Sequence, residues 1–145
     1  MKQEDKEILI KDLCARLPYG VKIRIYIKNA DFKVTKYDTD KLCLGNLAYI
    51  LSICESPWRE VKPYLFPLSS MTEEQKKEFL DVAGYEIREE DCGRHTETYY
   101  YDMVGHEQNF YPNSDAIDWL DKNHFDYRGL IPMGLAEDAT DKNIY

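Results

Sequence analysis

Charged and apolar positions in "KQEDKEILIKDLCARL" interleave so that Ile8, Leu9, Leu13 and Leu17 fall together at helical spacing. This pattern predicts a first helix from about Glu4 to Arg16. Pro18 and Gly20 in "LPYG" stop the helix and turn the chain. The next run, "VKIRIYIK", has a different period: Val21, Ile23, Ile25 and Ile27 alternate with Lys22, Arg24, Tyr26 and Lys28, which predicts a strand with one face on a core.

Beyond a turn at "NADF", the stretch "KVTKYD" suits a shorter strand, and two more are expected, one from near Lys41 and one near Ala48 to Cys54. "LAYILSIC" has no distinct period, and a buried helix segment is the alternative reading to that strand. Pro57, Pro63 and Pro67 lack a backbone N–H and fix φ, so "ESPWREVKPYLFP" is expected to be an ordered connector and not a central strand. Its large side chains, Trp58, Tyr64, Leu65 and Phe66, are expected to pack on the core.

"SSMTEEQ" is a helix start. Thr72 as N-cap and Gln75 three residues later form a capping box, and Gly84 suits the C-terminal cap of a helix running to about Ala83. Residues 85–112 keep no hydrophobic period and read as a long loop with one strand at Thr96–Met103. "NSDAIDWLDKNH" begins the last helix, at 114–123, capped by Asn113 or Ser114; the tail "EDATDKNIY" is polar and expected to fray. The fold class is therefore α+β, a small antiparallel meander packed by about three helices.

A chain of 145 residues is the size of one domain, read here as a helix, meander and connector (1–71) joined to an acidic half (72–145). The net charge of −8 is unevenly spread. The first part holds 12 Lys+Arg against 9 Asp+Glu, the second 7 against 18. Acidic elements lying across a basic strand face, or a solvated acidic surface, both account for this. No apolar run approaches the roughly 20 residues that span a bilayer, and the first residues lack the apolar core of a secretory signal, so a cytoplasmic protein without a membrane partner is expected.

Candidate chemistry is sparse. Four separated cysteines make no C-x-x-C pair, and Cys92, His95 and His106 lack a fourth ligand, so neither metal nor cofactor is expected. Lys22, Arg24, Tyr26 and Lys28 put three cations and an aromatic on one strand face, a combination that suits nucleic acid but also an ordinary exposed face. In "HFDYRGLIPMGLA", His124, Asp126, Tyr127 and Arg128 offer a base, a carboxylate and an anion clamp for a small hydrolase or transferase. Neighbours in sequence usually diverge in space, and the structural alternative sets His124 at the helix end and pairs Arg128 with a local acid.

The blocks "EILIKDLCARLPYGVK", "VKPYLFPLSSMTEEQKKEF" and "IDWLDKNHFDYRGLIPMGLA" resemble blocks in a family of small uncharacterised proteins from gut-bacterial genomes and their prophage regions. The resemblance brings no catalytic residue. It implies an accessory product of a phage or mobile element. The leading expectation is a non-enzymatic interaction protein with a protein partner, and the alternatives are the nucleic-acid module and the small enzyme.

Overall fold

The computed structural model describes residues 2–30, 33–91, 96–102 and 113–145. It is α+β, with four helices among the described residues and a small mixed sheet of five strands. Two compact units are present: residues 1–70 with 121–145, and residues 71–120. The first unit breaks off after Ser70 and takes in the last 25 residues of the chain.

In the first unit, α1 (Gln3–Arg16) and α2 (Leu47–Glu55) pack against β1 (Ile23–Lys28) and β3 (Arg59–Pro67). Leu9, Leu13 and Leu17 meet Ile23, Ile25, Ile50, Ile53 and Val61 in one core. The expected strand at Ala48–Cys54 is a helix, because Ile50, Ile53 and Cys54 share the buried face at helical spacing while Tyr49 points to solvent. The strand expected from Lys41 is likewise replaced, by a 3₁₀ turn at Leu44–Asn46.

β1 lies antiparallel to both β2 (Val34–Asp38) and β3, so the chain passes from β2 over α2 to the far side of β1. The arrangement is a split β-α-β unit and not a meander, since β1 sits between two strands that run the same way. Two short parallel pairings complete the sheet: β6 (Phe125–Asp126) against Phe66–Pro67 and β7 (Glu137–Asp138) against Tyr64–Leu65.

β3 also corrects the connector expectation. The Tyr64 amide donates to the Lys22 carbonyl and the Phe66 amide to the His124 carbonyl, so even-numbered backbone groups of β3 address the edge held first by β1 and then by β6. The Ala139 amide donates to the Leu65 carbonyl from the opposite edge. Pro63, opposite Ile23, therefore turns its missing donor toward the β7 edge, one residue before that pairing begins. A proline survives in the middle of the sheet because the ladder asks nothing of its nitrogen there. Tyr64 and Leu65 are 1% and 0% exposed, whereas Trp58 is 55% exposed. Trp58 precedes the strand, and its carbonyl accepts from the Lys28 amide while its ring stays outside the core.

The second unit begins with α3 (Glu73–Ala83), whose start carries the expected capping box: the Gln75 amide donates to Thr72 Oγ1, and the Thr72 amide donates to Gln75 Oε1. Gly84 ends it in the left-handed region at φ 76°. The chain then enters β4 (Tyr85–Asp91), which pairs antiparallel with β5 (Thr96–Asp102) where a long loop with one strand was expected. α4 (Ser114–Lys122) is capped by Asn113, whose Oδ1 accepts from the Ala116 amide at 2.8 Å. Within this unit the Phe79 and Trp119 rings lie 5.5 Å apart.

Trp58→Ala is expected to change stability by less than about 1 kcal/mol, as for exposed positions. Leu65→Ala, a buried truncation, is expected to cost about 2–5 kcal/mol. Urea titration of the two variants side by side checks the distinction.

Candidate functional site

Arg16 is 0% exposed, an unusual place for a cation. Asp12, one turn earlier on α1, accepts from its Nε at 2.8 Å and from its Nη2 at 2.9 Å. Nη2 also donates to the Phe125 carbonyl at 2.7 Å and lies 3.6 Å from Asp121 Oδ1. Arg128 reaches the same two acids, with Nη1 2.7 Å from Asp12 Oδ1 and 3.3 Å from Asp121 Oδ1. Tyr127 donates to Asp121 Oδ2 at 3.2 Å, and its ring faces the Arg128 guanidinium at 4.3 Å. Two cations and two carboxylates thus neutralise one another inside the fold. Burial pushes the Asp121 carboxyl above its ordinary value against the pull of both arginines, and burial likewise pushes the Tyr127 hydroxyl up to about 12.

The neighbouring candidates have separate tasks. His124 follows α4 with φ 59°, in the left-handed region, and its amide donates to the Asp121 carbonyl. Its imidazole is buried and stacks on Tyr145 with the ring centroids 3.9 Å apart. Burial, with the Arg16 and Lys41 charges, brings its pKa down to about 4, and Nδ1 has no partner. Asp126 uses both oxygens on backbone, accepting from the Leu130 amide at 2.8 Å and the Ile131 amide at 2.7 Å. His124, Asp126 and Arg128 therefore do not make a base, its orienting acid and an anion clamp: the acid holds a turn and the clamp is committed to Asp12 and Asp121.

On the basic strand face, Arg24 and Tyr26 are internally paired. Arg24 donates to Asp38 at 2.7 and 3.0 Å and lies 3.7 Å from Glu137, while Tyr26 donates to Glu137. Tyr64 donates to Asp38 at 2.8 Å beneath Arg24 and Lys142. The hydrogen bond from Arg24 holds the Asp38 carboxyl below its usual range. The tail expected to fray is pinned here: Tyr145 Oη accepts from the Lys22 amide and donates to the Tyr64 carbonyl, and burial pushes its pKa up to about 12. Lys28 remains exposed beside an open hollow of about 670 Å³. Asp5, Glu55 and Glu60 line that hollow alongside Lys6, Lys28 and Arg59, a balance that does not select phosphate.

A feature outside the expected sites lies on β2. All five of its residues are exposed. The Thr39 amide donates to Ile23 and the Asn29 amide to Lys33, so the odd-numbered positions of β2 bond to β1. Alternation then turns the N–H and C=O of Val34, Lys36 and Asp38 outward, along an edge with no paired strand among the described residues. Exposed side chains lie along it. Tyr37 Oη lies 3.4 Å from Tyr49 Oη of α2 on the helix-covered face, and Val34 is exposed on the other, while Trp58 stands beyond β1 on the β3 side of Lys28. The available signal was that neither face of "KVTKYD" alternates into the core, as expected of an edge strand.

Cys92, His95 and His106 lie outside the described residues, and no metal-binding cluster occurs among those described. No described helix is long and apolar enough to cross a membrane. Comparison with protein-family models, curated proteins and solved structures gave no match.

The His124 imidazole is expected to titrate near pH 4 in a proton-shift titration by NMR, and a midpoint near 6.5 contradicts its burial. Because the unfolded chain takes this proton at about 6.5 and the native state only near 4, His124 lowers stability as pH falls through that window. A His124→Phe variant should lose that part of the pH dependence. Asp12→Asn, which leaves the buried Arg16 under-compensated, is expected to cost about 3–5 kcal/mol in denaturant unfolding.

Proposed function

We propose that this chain is a non-enzymatic interaction protein of the cytoplasm, an accessory product of a phage or mobile element, that holds a protein partner by strand addition at the edge of β2. The observation carrying this reading is the outward row of backbone donors and acceptors at Val34, Lys36 and Asp38, with Val34 exposed on one face and Tyr37 and Tyr49 on the other. An added strand satisfies those groups through main-chain bonds, and Tyr37 supplies aromatic contact area on one of its faces. The enzyme reading is disfavoured because Asp126 and Arg128 are already bonded within the fold. The nucleic-acid reading is disfavoured because Arg24 and Tyr26 already meet carboxylates. The mobile-element context rests on the sequence blocks alone.

Lys36→Pro tests strand addition whatever the partner. It removes an outward N–H and no bond to β1, a position where an edge strand tolerates proline. The melting temperature is expected to move by only a few degrees, while retention of the partner from host extract falls at least tenfold relative to the native bait. A partner retained equally by both baits contradicts the edge reading.

A further inference from the structure

The exposed edge of β2 complements itself. Outward-facing groups sit on even-numbered residues, so a second copy added antiparallel must set even opposite even, and the paired residue numbers then sum to an even value. A sum of 72 opposes Lys36 to Lys36, and a sum of 76 opposes Asp38 to Asp38 while setting Lys36 opposite Asp40 twice. The intermediate register, with a sum of 74, sets Lys36 opposite Asp38 twice, Thr35 opposite Thr39 twice, and Tyr37 opposite Tyr37 on the axis. Within Val34–Asp38 this register alone pairs Tyr37 with itself and has no like-charge pair, whereas Lys36 meets Lys36 in one neighbour and Asp38 meets Asp38 in the other.

We propose that the partner at the β2 edge is a second copy of this chain, paired antiparallel about a two-fold axis through Tyr37. This rests on the reading of β2 as a docking edge. The Asp38 side chain is still 47% exposed after binding Arg24, so an ammonium from the other copy extends the ion pair into Arg24, Asp38 and the second copy's lysine. Lys36 then has a second use: an incoming strand with no acid at that position meets an uncompensated cation, so the edge discriminates against unrelated strands. The interface is isologous and closes at two copies, because each edge is consumed by the other.

Cysteine placement reads the register directly. Tyr37 falls in a pair without mutual hydrogen bonds, where opposed Cα atoms lie about 4.5 Å apart, within the span of a disulfide. Thr35 and its counterpart lie roughly 14 Å apart, at about 3.4 Å per residue, beyond that span. Tyr37→Cys and Thr35→Cys are made with Cys43→Ser and Cys92→Ser and oxidised mildly, and the native protein is sedimented from low to high micromolar concentration.

The expected result is covalent dimer from Tyr37→Cys at least tenfold faster than from Thr35→Cys, with the native protein rising toward twice its 17.1 kDa. Lys36→Glu should weaken that association at least tenfold, and less so at high salt. Equal cross-linking at both positions, or a native protein that stays at 17.1 kDa throughout, overturns the self-pairing. If Lys36→Pro still releases a different protein while the native chain remains single, the second copy is excluded and the docking edge stands. If neither readout responds, both fall.

Discussion

A fully buried guanidinium constrains this fold more than any other group. Arg16 cannot shed its proton, so its charge and its donors must be met inside the protein. Asp12 supplies a local partner on the same helix. The rest comes from far along the chain, from Asp121 and the Phe125 carbonyl, with Arg128 compensating the second acid. Satisfying one side chain of α1 therefore brings residues 121–128 back to the first unit. Such a network is weak evidence for net stability, because a close-packed apolar replacement often does as well, but a partial one is costly. Its effect here is to specify position.

Position then passes to the sheet. With Phe125 held at Arg16, β6 takes the place beside β3 that β1 vacates, and the following turn, tied by Asp126, leads to β7 on the other edge. Glu137 meets Arg24 and Lys142 lies over the Tyr64 ring on the open face of the sheet, while Tyr145 bonds to the Lys22 and Tyr64 backbone. Much of the polar chemistry that suggested a site is spent on this closure. Among the described residues, what stays unpaired is the far edge, β2, where Tyr37 and Val34 are exposed on opposite faces.

Local signals were legible in the sequence where one side chain answers one backbone need. The Thr72 and Gln75 capping box, the Asn113 cap, Gly84 at a helix end and the alternation of Ile23 and Ile25 each act within a few residues. The failures share a cause. Pro63 argued against a central strand because its effect depends on which edge its nitrogen faces, and that is set by β1 and β7. "LAYILSIC" needed a neighbour to choose between helix and strand, and two-residue strands such as β6 carry no period at all. The candidate site failed likewise: Arg128 pairs with Asp12 across 116 residues, which no local spacing announces. The tail, polar in composition, is fixed by one aromatic stacked on a buried histidine.

The central claim is that closure around Arg16 leaves β2 formed but open on one side. Residue-resolved amide exchange of the dilute protein by NMR tests it most directly, because neighbouring amides of one strand face opposite ways. The account predicts alternation: Thr35, Tyr37 and Thr39 protected by β1, and Val34, Lys36 and Asp38 exchanging close to the rate of free chain. Uniformly fast exchange from Val34 to Thr39 would mean that β2 is not held on the sheet, and uniform protection that its outer edge is already covered; either result contradicts the account.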